Sequence, residues 1–512
     1  MGTETVGSNL RSSLPKAENV THHIRQPINE VKDPYAVVND PTDDVIEMNK
    51  RWEMTRALMG GTETMRAAAE KFLPREPAES AKAYDFRLIR SVLFNAYGTT
   101  VKVSTGRPFS RPIVFNGFNA QLESFNENID LQGSNIDVFT RAVFEGALAH
   151  GHAFILIDHP KRPDLHGTQE DAPSLEQERD MNLRPYWKYV SAYDVIGWRS
   201  ALVNGVEIPT QVRIRETASQ DSGLFGVVKT ERVRVLEPGT FTLYEKNPNS
   251  GVWGVIDAGV SLDAFEKPLT FIPIVFVSIG TDYGFFKTKP KLLDLAYMNI
   301  EHWQSSSDQR NILHVARVPI LFGSGFHDDD DLEIGASRWI KGPEGSSLSY
   351  IEHSGSSIDA GRVDLETIEN RMRVMGAEIL VRGRAQVTAT EKVLNTDEET
   401  SDLQNSVIRF TDALSQAYTI TARWMGLEDD TVGDISIYHD FGISANAYQE
   451  AQILLQMRLS KQITQEAFLQ EMKRRGLLGE DIDIMDEIVL TANELPQEFE
   501  SGGKPEEGAQ NE

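Results

Sequence analysis

The stretch KLLDLAYMNIEHWQSSSDQRNIL, residues 291–313, holds His302, Ser305, Ser306 and Asp308, the side-chain types of a nucleophilic hydrolase. On a helix an imidazole faces hydroxyls three and four positions on, so a His to Ser hydrogen bond is sterically possible. Acyl transfer also needs a carboxylate on the other ring nitrogen and free backbone N–H groups to hold an oxyanion. A helix interior has already committed those N–H groups to its own carbonyls, so the residues read as a solvated or interface helix. HGHAFILIDHP offers His150, His152, Asp158 and His159 and invites a zinc site. On a strand, His152 and Asp158 share a face but stand about 20 Å apart, too far for one ion. His150 and His152 alone do not make a site. HDFG at His439 echoes a kinase magnesium motif without the Gly-rich loop that must accompany it, and no G-x-x-x-x-G-K-[ST] stretch exists for a nucleotide. Asp328, Asp329, Asp330 and Asp331 lack the interleaved Gly and distal Glu of a calcium loop. They form either a solvated acidic loop or a docking surface for a basic partner. The residues therefore imply no catalytic group, no metal and no cofactor.

Composition narrows the classes further. A chain of 512 residues, 40% apolar and 25% charged, has enough apolar surface for several cores. A formal charge of −26 argues against tight, non-specific grip on a nucleic acid backbone, which requires Lys and Arg to displace counterions. No cysteine is present, so neither disulfides nor thiolate metal sites are possible. There is no apolar run of membrane-spanning length, and Met1 is not followed by a basic segment and an apolar core. The expectation is a soluble protein without a signal peptide.

The elements that would position these residues follow from periodicity. Val45, Met48, Trp52, Thr55 and Met59 predict an amphipathic helix over 43–59, with Asp44 placed to cap it and Gly60-Gly61 to stop it. A second helix is predicted over 78–97, with Tyr84, Leu88 and Val92 beside Ile89, Leu93 and Phe94 on a wide packed face. A third buries Ile136, Phe139, Val143 and Ala147 and hands over to a buried strand, HAFILID. From 186 to 280, QVRIRE and ERVRVL alternate apolar and basic residues between turn sequences, as in an antiparallel meander. LTFIPIVFVSIG reads as a strand in the middle of a sheet. Residues 291–313 form a helix, followed by a small strand-and-loop insert and a second helical pattern through Val363, Ile368, Met372, Met375 and Ile379. VRGRAQVTATEKV breaks that pattern, a long helix restores it, and a strand and helical tail complete an α+β chain.

This order of elements resembles the portal proteins of tailed bacteriophages, over nearly the whole chain from residue 43 to 490. KFLPREPAESAKAYDFRLIRSVLFNAYGTTVKVSTGRPF, YVSAYDVIGWR, KLLDLAYMNIEHWQSSSDQ and TATEKVLNTDEETSDLQ are similar to segments of a portal-like phage family otherwise labelled only as a domain of unknown function. The resemblance implies a portal fold: a flexible arm over 1–41, a wing of helices and antiparallel strands over 42–290, and a first stem helix over 291–313. A clip over 314–361, a second stem helix over 362–380, and a tunnel loop, long wing helix and wing strand over 381–442 follow. It also implies a helical crown over 443–490 and a disordered acidic tail over 491–512.

What the resemblance implies for function is a ring, in the family a dodecamer, at one capsid vertex of the virion. Double-stranded DNA would pass through it without sequence specificity, during packaging and again on ejection. The implied partners are further copies of the chain, the terminase large subunit, then a head-tail adaptor, and the major capsid protein. Membranes are not among them, and assembly would take place in the host cytoplasm. Asp328 to Asp331 fall in the implied clip and become the docking residues. Arg382, Arg384, Gln386 and Thr388 fall in the implied tunnel loop and become the channel residues. The two arginines either touch phosphates transiently or pair with neighbouring carboxylates. On this scheme the apolar half of 291–313 packs under the wing, while the polar half runs beside copies of itself around a wet channel. The competing readings are a soluble hydrolase with a site assembled from distant residues, and another head-tail connector component.

Overall fold

The computed structural model describes residues 37–160, 183–317, 320–325, 344–351, 356–378, 402–428, 432–439, 447–474 and 484–493, with 35, 478 and 482. The chain divides into two compact units, residues 1–439 and 440–512.

The first unit begins with α1 (Asp43–Met59), α2 (Gly61–Ala68), α3 (Ala81–Arg90) and α4 (Ala96–Gly106), then β1 (Val114–Asn116), α5 (Ala120–Phe125) and α6 (Ile136–His150). Strands follow: β2 (His152–Asp158), β3 (Tyr186–Ser191), β4 (Val195–Val203), β5 (Val206–Ser222), β6 (Gly226–Glu237), β7 (Thr240–Lys246), β8 (Trp253–Val260), β9 (Ile274–Ser278), β10 (Thr281–Gly284) and β11 (Lys287–Lys289). Next are α7 (Leu293–Ala316), the hairpin β12 (Ile320–Ser324) and β13 (Ser347–Ile351), α8 (Ser356–Glu378), α9 (Asp402–Trp424) and β14 (Asp434–Ser436). The second unit contains α10 (Ala447–Leu459), α11 (Gln465–Arg474) and α12 (Ile484–Asn493). There α11 meets α12 through Gln465 Nε2, which donates to Thr491 Oγ1 at 3.0 Å.

The core explains why HAFILID is apolar without alternation. Strand β2 is the middle of a three-stranded antiparallel sheet ordered β3-β2-β9 and is covered on both faces. Phe154 and Leu156 point at the β4–β8 sheet, in one cluster with Val190, Val195, Val212, Ile214, Leu236, Ile274 and Phe286. On the side of α6 and α9, the Trp187 ring lies 4.7 Å from Tyr418 and 5.7 Å from Phe125, and Phe144 lies 5.2 Å from Phe410. Trp187 Nε1 donates to Thr421 Oγ1 at 2.8 Å, so the buried indole has its partner. The meander β4–β8 is a five-stranded antiparallel sheet in sequence order, as its alternating pattern predicts.

Three sequence expectations are corrected. The apolar strand of LTFIPIVFVSIG, β9, lies at the sheet edge rather than in its middle, because β2 takes the central place. The cap of α1 is Thr42, with no side-chain cap bond, while Asp44 instead pairs with Lys287 at 3.0 Å. The helix predicted over 78–97 is two helices. Arg66 donates from Nε and Nη2 to the Ser91 carbonyl, and Asn95 caps α4 by accepting from the Gly98 N–H at 2.8 Å. With that carbonyl held by a guanidinium and a strong capping residue four positions on, the chain turns. The predicted packed face accordingly splits: Tyr84 and Leu93 are buried, but Ile89, Val92 and Phe94 are exposed.

Candidate functional site

The pair α7 and α8 carries the residues with which the sequence tempted chemistry. Their contacts run in opposite directions: Gln309 Nε2 donates to the Ile358 carbonyl at 2.7 Å, and His302 Nε2 lies 3.3 Å from Glu369 Oε1. At the other end Met298 and Met375 share a groove. The two helices are thus antiparallel, joined through the β12–β13 hairpin.

Helix α7 changes character because its polar half is internal. Leu292, Leu295 and Ala296 are buried as apolar residues should be, and Asn299, His302, Ser306, Ser307 and Gln309 are buried as well. Asn299 meets backbone groups between α3 and α4, while Gln304 reaches the segment ahead of α3 and Gln309 reaches α8. Asn299 Oδ1 accepts from the Tyr97 N–H at 3.0 Å, and its Nδ2 donates to the Phe94 carbonyl at 2.8 Å. Gln304 Nε2 donates to the Phe72 carbonyl at 3.0 Å, and the Ser91 and Ser307 hydroxyls share a 2.8 Å hydrogen bond. Helix ends carry backbone groups without intrahelical partners, and burying them unpaired is costly. The polar half of α7 supplies those partners within its own chain, while Glu301, Asp308 and Arg310 on it stay exposed.

An ion-pair cluster seals the same junction. Arg87 is 4% exposed and binds Glu79 through both Nε (2.9 Å) and Nη2 (2.8 Å), gives Nη2 to the Pro74 carbonyl, and reaches Asp308 at 3.4 Å. The bond from Arg87 holds the Glu79 carboxyl below the usual carboxylate value, against burial, which raises it. Burial raises Asp308, with Arg87 pulling the other way. At the start of α7, Lys291 Nζ donates to the Asp402 carbonyl at 2.9 Å and ties α7 to α9, while burial lowers its pKa.

The tempting constellations resolve into structure. No hydrogen bond joins His302 to Ser305 or Ser306 among the described residues, and His302 faces Glu369 and the Phe94 ring at 5.2 Å instead. His150 Nδ1 shares a 2.9 Å hydrogen bond with Thr55, and His152 Nδ1 a 2.8 Å bond with Thr288. Burial, with Arg56 adding to it, pushes His150 down to about 4; burial, with His150 adding, pushes His152 down to about 3. Both are neutral core imidazoles. Asp158 pairs with Arg234 at 3.1 Å, and His159 stacks on Trp424. Among the described residues no three His, Asp or Glu side chains could hold a metal ion, and no helix is long and apolar enough to cross a membrane. The docking residues Asp328 to Asp331 and the channel residues Arg382, Arg384, Gln386 and Thr388 lie outside the described residues. Sequence reasoning missed Arg87, Glu79, Asn299 and Gln304. The available signal was Asn95, a strong capping residue inside a supposedly continuous helix.

A concavity on this pair is lined by Met298, Thr367, Asn370, Arg371, Val374 and Met375, an open groove of about 440 Å³.

The family described as Domain of unknown function (DUF4055) matches residues 291–425, from the start of α7 to the end of α9. No curated protein matches the chain. Among solved structures, the chain is similar to one in the neck of an empty GTA particle, computed with C6 symmetry. That match has 11% identity and a TM-score of 0.39, covering 74% of this chain and 88% of that one. It is also similar to a chain from the virion of a native gene transfer agent particle, at 11% identity and a TM-score of 0.37, covering 74% and 89%. A third similar chain, from the neck of a native GTA particle computed with C12 symmetry, has 10% identity and a TM-score of 0.34, covering 72% and 87%.

Proposed function

We propose that the chain is a non-enzymatic structural subunit of a phage-type head, the portal, which assembles as a ring through which double-stranded DNA enters and leaves a capsid. The observation that carries this reading is the α7–hairpin–α8 excursion. An antiparallel helix pair leaves the sheets, carries a two-stranded insert at its far end, and is followed by the long α9, which returns to the three-stranded sheet with Phe410 and Tyr418. That order is the one expected for stem, clip, stem and wing helix. Charge supports it too: copies of a chain with formal charge −26 would present an acidic wall, over which DNA slides instead of sticking. Asp328 to Asp331 would then serve the packaging motor and adaptor, and Arg382 and Arg384, with Gln386 and Thr388, the channel. Native mass spectrometry over a concentration series tests the reading. A closed assembly of about a dozen copies is expected, since heterologous contacts between identical chains close into rings. A monomer at every micromolar concentration would falsify it.

A further inference from the structure

The β5–β6 ribbon is built to leave its own molecule. Its pairing runs from Val212↔Leu236 out to Ser222↔Gly226, whereas β4 accompanies β5 only as far as Ile214, and β7 joins β6 only from Arg232 inward. Beyond those points the two strands pair only with each other, from Thr217↔Glu231 to Ser222↔Gly226, for about 20 Å at roughly 3.3 Å per residue. A two-stranded ribbon is marginal in water without something to pack on. Its turn is apolar where turns are ordinarily polar: Leu224 is 91% exposed and Phe225 99% exposed, with Val227 exposed behind them. Among the described residues nothing covers this tip.

The α7–α8 groove is the complementary feature. Met298, Met375 and Val374 give it apolar walls, and Val374 is 61% exposed. An enclosed space of about 150 Å³ accepts a benzene ring, so a groove of about 440 Å³ has room for a phenyl and a leucyl side chain. Methionine walls reshape around whatever enters. On the groove Arg371 is exposed, and Asp221 is exposed on the ribbon next to the tip. Charge and apolarity therefore match in the same place.

We infer that the Leu224–Phe225 tip of one copy docks in the α7–α8 groove of a second copy, with Asp221 meeting Arg371. This rests on the ring reading and names the contact that would propagate it. A projection and a groove at different places on one molecule make a heterologous contact, which passes from copy to copy and forms a ring when the rotation between copies closes.

The absence of cysteine makes the test free of background. Phe225→Cys combined with Val374→Cys, oxidised under native conditions, should give an intermolecular covalent ladder that neither single variant gives. Native mass spectrometry of the same sample separates the two claims. Intact rings without a ladder overturn the docking and leave the ring reading standing. A ladder without rings supports the docking and overturns the ring reading; neither ladder nor ring overturns both. In a second variant, Leu224→Ser with Phe225→Ser changes only exposed side chains. The protein concentration for half-assembly should then rise about tenfold or more, as for a lost interface anchor, and an unchanged concentration overturns the docking.

Discussion

Arg87→Met should uncouple α3 from α7, and the size of the effect follows from burial. The Arg87 guanidinium is 4% exposed, and the Glu79 side chain it grips is 10% exposed. Removing one partner of a buried pair costs about 3–5 kcal/mol, because the other charge is left without compensation. Asp308 touches the same guanidinium at 3.4 Å but is 56% exposed, and a pair that open is worth below about 1 kcal/mol. Arg87→Met should therefore lose several times what Asp308→Asn loses. Because a chain this long does not unfold in one step, the assay is native-state hydrogen exchange over peptides spanning 79–95 and 304–311. A local loss of about 3 kcal/mol speeds exchange there by about a hundredfold. A pH series adds a second check. The Glu79 carboxyl is depressed in the fold, so its contribution is fully present above its ordinary value of 4.5 and is lost as pH falls through the lower folded value. The gap between wild type and Glu79→Gln should accordingly close at acidic pH. If Arg87→Met exchanged no faster than Asp308→Asn, the argument from burial would be wrong.

The core histidines predict acid sensitivity of a different origin. His150 and His152 are held neutral at about 4 and about 3, below the ordinary 6.5, so the unfolded chain takes up protons that the fold refuses. Stability should fall once pH drops below 6.5, by roughly 2 kcal/mol per histidine at pH 5. His152→Gln should flatten the Tm profile between pH 7 and 5, and an unaltered slope would count against the assignment. Replacing Asp328, Asp329, Asp330 and Asp331 by Asn should leave ring assembly intact and weaken terminase binding; unchanged binding removes the docking role. Arg382→Ala with Arg384→Ala should preserve rings and change packaged DNA length if the arginines touch phosphates, or lower ring Tm if they pair with a neighbour's carboxylates. No change in either would dismiss both roles.

The elements with strong periodicity were legible in the sequence. Helix α1 occupies the residues predicted, α6 buries Ile136, Phe139, Val143 and Ala147, and β5 and β6 alternate as expected. What escaped was tertiary. The break at Ser91 depends on Arg66, 25 residues earlier, reaching its carbonyl. The polarity of Asn299 and Gln304 depends on backbone groups of Phe72, Phe94 and Tyr97, and that of Ser307 on the Ser91 hydroxyl. A run of polar residues on a helix looks the same whether it meets water, another copy or stranded carbonyls, and only the fold tells them apart. For the same reason β9 read as a central strand: a strand buried by helices at a sheet edge is as apolar as one in the middle.

In the proposed ring, copies of this chain close around a channel. Electron microscopy of the purified protein in end-on views measures that directly. Annular particles with rotational symmetry of about twelve copies and an open centre are expected. Compact particles without a central opening, at concentrations where the chain is folded, would contradict it.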